Sequence, residues 1–588
     1  MEQFISRIDS LVEEIGTKMR DENIPGLVLS VVSKDSVVWT QSFGYTSQKL
    51  EEQTTVDTIV GLQSTTKNIT AVAFLKAVEL GLVGLDDPVR KYYTSFSVKH
   101  RFDDDPVDKI TFRLLLSHQS GLPNTSPRGG VFGSDPKTTF EERVESLSET
   151  WLEYYPGTDL RYSNVGMDLV AYTLQLITNK PYLEYVQEEV MIPLGIESFT
   201  LHSSEASKRE NVFQGNLGSF EAEYQENDNG YGCGTGFMSH KDLASYLQFL
   251  LREGRTASGE QLIRPELMKE MLVDNGSYGL GVFINSTLGY THYSHAGGGF
   301  GFSSKMDWIP ALNIGVVAQC NQEYQGLLSS LPEKIFKLFT DVMSIEQGEE
   351  WPEPQGETIN LPENFLKTLD GAYIGLSGQV AIIYEEGNLL LRLSGERHHL
   401  ACKGGNISDK VIFTSEPARY IAFHIKESAR IQLHLYLNSW SELLILNKAE
   451  VVEEELASDD GSWSTYVGLY LFHYYRTEII FFVVYELGSR LTINGQPLYR
   501  YDTGVYYTAT GEMVEFIGSA GGGGALYKSI HGEKVEDPVN YLRSLAEDER
   551  TRRQVSEYLI KNVVDGLRNL GRSDEADKLE QLRPLNSS

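Results

Sequence analysis

The chain has 588 residues, 41% of them hydrophobic, which is too long for a single core and implies roughly two to four packed domains. Its formal net charge of -31 argues against nucleic acid and anionic membrane surfaces as partners. Three cysteines, Cys233, Cys320 and Cys402, lie far apart, which gives no disulfide framework and no zinc-ligand spacing.

Residues 1–22 read as an amphipathic helix, with Ile5, Ile8, Leu11, Val12 and Ile15 on one side. There is no basic stretch followed by an apolar core, so this is not a secretory signal. No apolar run is long enough to span a bilayer, and the chain reads as cytoplasmic. Gly26 to Trp39 reads as a hairpin: GLVLSVV, a polar turn from Ser33 to Ser36, then VVW. Ile69 to Leu80 is apolar nearly all round, as a helix in a domain interior should be.

Ser64 and Lys67 stand three residues apart at the head of that helix, in GLQSTTKNITAVAFLK. The spacing puts both on one face. A serine hydroxyl needs a neighbouring base to become a nucleophile. Burial and the positive end of a helix disfavour an ammonium, so this site can tune Lys67 toward that role. The Ser64 N–H points outward at a helix start, a ready oxyanion donor. A second Ser-x-x-Lys, Ser134 to Lys137, lies in a polar Gly/Pro-rich loop with no apolar helix after it and reads as chance.

PGTDLRYSNVGMDL carries Tyr162 and Asn164. A tyrosine beside a lysine can pass a proton to a leaving group, and an asparagine amide can hold a substrate carbonyl. Ser239 and Asp242 fit a capping box before the apolar run Leu243 to Leu251. YSHAGGGFGF carries His295, Gly297 and Gly298; a Gly-rich strand lets substrate lie close and offers N–H groups to an oxyanion. Ile314 to Ala318 reads as a buried strand. A second Tyr-x-Asn, Tyr436 to Asn438, falls in a β-rich region after the third motif, in the wrong order.

Gly348 to Asn364 is acidic, holds three prolines and reads as a linker. Beyond it come two series of short β runs. Both open alike, GAYIG at Gly371 and GLYLF at Gly468, and read as two small antiparallel barrels, a duplicated unit. The tail from Asp537 reads as helical and charge-laced, and LIKNVVDGLRNLGRSDEADKLE within it suggests a helix, a turn and a second helix. The expected division is 1–347 catalytic domain, 348–364 linker, 365–455 first barrel, 456–532 second barrel and 533–588 helical tail.

Ser-x-x-Lys, Tyr-x-Asn and His-x-Gly in this order resemble the serine β-lactamase and penicillin-binding superfamily, in its class C-like, D-aminopeptidase-like branch. LLLSHQSGLP (Leu114 to Pro123), LDDPV (Leu85 to Val89), GTGFMSHKDLA (Gly234 to Ala244) and YGLG (Tyr278 to Gly281) are also familiar there. The resemblance covers about Ile24 to Asn321. It implies an α/β catalytic domain of antiparallel sheet and helices, followed here by the two lipocalin-like barrels. It also implies Ser64 as acylated nucleophile, Lys67 and Tyr162 sharing acid and base work, Asn164 on the substrate amide, and the N–H groups of Ser64 and Gly298 as oxyanion hole. His118 is structural by the same resemblance.

Many members place lysine where this chain has His295, which suggests weak handling of carboxylate-bearing β-lactams. The expected activity is hydrolysis of small amides or peptides through an acyl-enzyme. The alternatives are an esterase or acyltransferase, or an inert binding module that keeps the pocket. No metal or organic cofactor is implied, the substrate is a small molecule or peptide, and the barrels are candidates for homo-oligomerisation.

Overall fold

A computed structural model describes residues 2–580 apart from short stretches, the longest being 130–136, 347–358, 449–462 and 548–556. The chain forms two compact units. The first joins Met1–Ser95, Asp108–Ser120 and Pro156–Lys448; the second joins Phe96–Val107, Gly121–Tyr155 and Ala449–Ser588.

The first unit is built on a six-stranded antiparallel sheet. Its strands are β1 (Gly26–Val32), β2 (Val37–Gly44), β3 (Phe283–Thr287), β4 (Tyr290–Gly299), β5 (Phe302–Ile309) and β6 (Ile314–Cys320), in the order β2-β1-β6-β5-β4-β3. The expected hairpin and the Ile314 strand are both present. β1 is buried on both faces, which is why its sequence runs apolar rather than alternating.

Leu27, Leu29 and Val31 face one layer of helices: α1 (Glu2–Asp9), α2 (Leu11–Asp21) and, from the far end of the domain, α6 (Gly326–Met343). The N-terminal helix expected from the sequence is two helices. They meet at Ser10, whose hydroxyl donates to the Arg7 carbonyl at 2.6 Å, and Phe4, Ile8, Ile15 and Met19 are the buried positions.

The other face of the sheet carries α5 (His240–Leu251). Ser239 caps it by accepting the Asp242 N–H. The His240 ring sits between Ser30 of β1 and Gln319 of β6, at 2.8 and 2.9 Å. Two further helices frame the site: α3 (Thr66–Glu79), buried on nearly every side as its composition predicts, and α4 (Asn164–Thr178).

Both expected barrels exist, each a closed ring of eight antiparallel strands, one from Gly371 to Lys448 and one from Gly468 to Val535. They close alike. The Tyr373 hydroxyl donates to the Leu369 carbonyl at 2.8 Å, and Tyr470 donates to the Tyr466 carbonyl at 2.7 Å. Each tyrosine pairs across the seam with a lysine, Lys448 and Lys534. The alternate inward residues fill each interior; in the first, Tyr373, Ile382, Leu391, Phe413, Phe423 and Leu433 form one cluster.

In the second unit the barrel packs on residues drawn from the earlier part of the chain. Glu515 accepts from Lys99 Nζ at 2.8 Å and from the Trp151 indole at 2.9 Å. Arg101 reaches the Gly511 carbonyl at 3.3 Å and lies over the Tyr507 ring. The tail forms helices at Pro538–Glu547, Glu557–Asn569 and Ser573–Glu580, and the last two match the expected helix–turn–helix. Among the described residues no helix is long and apolar enough to cross a membrane.

Candidate active site

Ser64 sits on a 3-10 turn, Gln63–Thr65, that runs straight into α3. Gln63 takes a left-handed φ of 50°, a conformation that costs a non-glycine residue about 1 kcal/mol or more. The sharp turn leaves Ser64 half-exposed between buried Gln63 and Thr65. One turn on, Lys67 is fully buried. Its Nζ donates to Ser64 Oγ at 3.1 Å, to Asn164 Oδ1 at 2.6 Å and to the Cys233 carbonyl at 2.7 Å. Three acceptors match the three protons of an ammonium.

Tyr162 closes the group. Its side chain hydrogen-bonds Ser64, and Lys67 Nζ lies 4.6 Å from the centre of its ring. Burial drives its phenol far above the usual range, the Ser64 bond opposing, so Tyr162 is a neutral phenol near pH 7. His118 holds the segment that carries Tyr162. Its Nδ1 accepts the Ser163 N–H at 3.2 Å, its carbonyl accepts the Arg161 N–H at 2.9 Å, and its ring packs 4.4 Å from that of Tyr162. Burial, with Lys67 and His295 nearby, keeps the His118 ring neutral. Ser163 then caps α4 by accepting the Gly166 N–H at 3.0 Å, which sets Asn164 in the first turn facing Lys67.

β4 brings the third motif to the same place. A Cβ on Gly297 would stand 2.2 Å from the Leu62 carbonyl oxygen and 2.7 Å from the Ser64 nitrogen. Only glycine lets the strand lie that close to the Ser64 turn. Gly298 is half-exposed beside it and pairs with Ser303 of β5.

The His295 ring is enclosed within the domain. Strand alternation turns Ala296 outward and sends the His295 ring inward, where it is fully buried against Phe283 and Tyr278. Nδ1 donates to the Ala296 carbonyl at 2.9 Å, so Nε2 accepts from the Tyr278 hydroxyl, also at 2.9 Å. Burial first, then the Lys67 charge, pushes its pKa down to about 3. The ring is therefore neutral near pH 7.

Ser64, Lys67, Tyr162, Asn164 and Gly297 thus converge, with Gly298 next in the strand. Ser134, of the second Ser-x-x-Lys, lies outside the described residues, as does Asn438 of the second Tyr-x-Asn; Tyr436 is in a strand of the first barrel. Two features at the site were not read from the sequence. One is the Cys233 carbonyl, a backbone group with no residue signature. The other is Asp168, a buried carboxylate in the otherwise apolar stretch VGMDLV of α4, which accepts the Gly232 and Cys233 N–H groups. Among the described residues no group of three or more His, Cys, Asp or Glu side chains is arranged to hold a metal ion.

A family model described as beta-lactamase matches residues 8–336. Beta-lactamase-like protein 2 of Dictyostelium discoideum is 28% identical over 322 residues, 52% of this chain and 58% of that protein. The D-alanyl-D-alanine-carboxypeptidase/endopeptidase AmpH of Escherichia coli K12 is 30% identical over 179 residues, 30% of this chain and 45% of that one. The chain spans about half the length of these curated relatives. Among solved structures, SurE matches in fold with a TM-score of 0.54 at 18% identity, over 76% of this chain and 99% of that chain.

Proposed function

Since the chain belongs to the beta-lactamase family, we propose that it is a serine hydrolase that acylates Ser64 with small amide or peptide substrates. The observation that carries this reading is the 3.1 Å contact of Lys67 Nζ with a half-exposed Ser64 Oγ, in a group that Tyr162 and Asn164 complete.

Ser64 Oγ attacks the substrate carbonyl carbon, and the oxygen turns toward the N–H groups of Ser64 and Gly298. The serine proton enters the Lys67–Tyr162 pair and is returned to the leaving amine. A water, activated by the same pair, then releases the acid. Because Lys67 rests with three acceptors around it, its ammonium must lose a proton before it can accept one. Asn164 accepts from Lys67 through Oδ1 and so holds the lysine head in place, while its amide N–H can donate to the substrate carbonyl. The peptide preference is supported by AmpH, named as a carboxypeptidase and endopeptidase.

The test is intact-mass analysis after exposure to a fluorophosphonate. A stoichiometric adduct mapped to Ser64, absent from Ser64→Ala, is the expected result. An unlabelled wild type, or equal labelling of Ser64→Ala, overturns the reading. Turnover of D-amino-acid amides compared with p-nitrophenyl esters then separates amidase from esterase.

A further inference from the structure

Asp168 lies four residues after Asn164 on α4, so the two side chains share one face of the helix. A carboxylate fully buried in such a helix carries a desolvation cost that only good partners offset. Its Oδ1 accepts the N–H of Gly232 and the N–H of Cys233, each at 3.1 Å. The same turn is gripped from α3, where Thr70 donates to the Gly232 carbonyl at 2.8 Å and is itself held by the Tyr182 hydroxyl at 2.8 Å. The turn also presses on α4, since a Cβ on Gly232 would lie 2.2 Å from the Met167 carbonyl oxygen. Held on these sides, the turn aims the Cys233 carbonyl at Lys67 Nζ, 2.7 Å away. Asn164 directly, and Cys233 through Asp168, therefore tie Lys67 to one helix.

We propose that Asp168 is a positioning residue that fixes the Cys233 carbonyl on Lys67 and thereby sets the orientation and protonation of Lys67 beside Ser64. The proposal rests on the serine hydrolase reading for its consequence in catalysis, and on the hydrogen bonds alone for its geometry. Without Asp168 the turn keeps the Thr70 hold on the Gly232 carbonyl but loses the hold on its N–H groups, and the Cys233 carbonyl can move off Lys67.

The experiment measures the rate of fluorophosphonate labelling of the full chain against pH, with crystal structures of the variants. Asp168→Ala is expected to label about 100-fold more slowly, with the pH of half-maximal rate displaced and the Cys233 oxygen beyond about 3.5 Å from Lys67 Nζ. Asp168→Asn, whose amide oxygen still accepts both N–H groups, should recover most of that rate. Wild-type rate and pH midpoint in Asp168→Ala overturn the proposal, as does a pH midpoint unmoved in both variants while both label slowly. Should Asp168→Ala fail to fold, Thr70→Val decides with Tyr182→Phe as its control, since Thr70→Val releases the Gly232 carbonyl and the Tyr182 hydroxyl whereas Tyr182→Phe removes only the latter: labelling about 10-fold slower with a displaced midpoint in Thr70→Val and not in Tyr182→Phe supports the proposal, and wild-type behaviour of Thr70→Val, or an equal effect of both, overturns it. If the wild type itself is not labelled at Ser64, the hydrolase reading falls. The crystal structures still judge Asp168, because a Cys233 oxygen that stays in reach of Lys67 in its absence refutes the positioning role.

Discussion

At the scale of single residues, Ser64 and His295 make opposite kinds of claim. Ser64 reaches solvent while its neighbours do not, and its hydroxyl meets a lysine and a tyrosine. Ser64→Ala should lower kcat by about 10⁴ or more with little change in Tm, whereas Ser134→Ala leaves turnover intact; steady-state kinetics on any true substrate checks both. His295 is buried, bonded at both nitrogens and neutral. The ratio of kcat/KM for a carboxylate substrate to that for an uncharged ester should then stay flat from about pH 5.5 to about 8.5, where an exposed histidine would titrate. A ratio that falls through that range would show the ring reading substrate charge after all.

Whole elements carry the next predictions. β4 lies against the Ser64 turn because Gly297 has no side chain. Gly297→Ala should force strand and turn apart, with a loss of about 1–3 kcal/mol in stability and slower labelling of Ser64, read by thermal melts and intact mass. His240 ties β1, β6 and α5 together as a buried neutral ring, its pKa pushed down to about 4 by burial. An unfolded histidine titrates near about 6.5. Between those values the unfolded chain binds more protons, so stability is full above about pH 6.5 and falls as pH drops toward 4, by up to about 1.4 kcal/mol per pH unit from this group. His240→Gln should reduce the dependence of Tm on pH over that window, leaving the part that His118 and His295, also buried and neutral, contribute.

Much of this architecture was legible in the sequence, because the hairpin, the buried helix, the Ser239 cap and the paired barrel openings are local patterns. The three motifs were legible too, since each joins chemistry to spacing. The Cys233 carbonyl was not, because any residue supplies a carbonyl. The inward turn of His295 depended on the register of β4 against β5, which no residue type encodes. The break at Ser10 lies within a continuous apolar stripe, so periodicity alone carried no sign of it.

On the scale of the whole molecule, the proposed division into a catalytic domain, two barrels and a tail meets a second unit whose parts are far apart in the chain. Lys99, Arg101 and Trp151 belong by sequence to the catalytic region, yet their partners are Glu515, Gly511 and Tyr507. A chain ending at Glu346 should therefore fold its sheet but exchange amide hydrogens faster in 96–107 and 121–155 than the full chain does; hydrogen–deuterium exchange checks this, and equal protection would show those segments to be self-sufficient. The same pairing bears on synthesis. About 300 residues separate Tyr155 from Gly468, and at ~5–20 residues per second the ribosome needs roughly 15–60 s to deliver them. For that interval Trp151 and its neighbours have left the exit tunnel and their partner strands have not yet been translated. This makes 96–155 the stretch of the nascent chain on which a chaperone has the longest time to act.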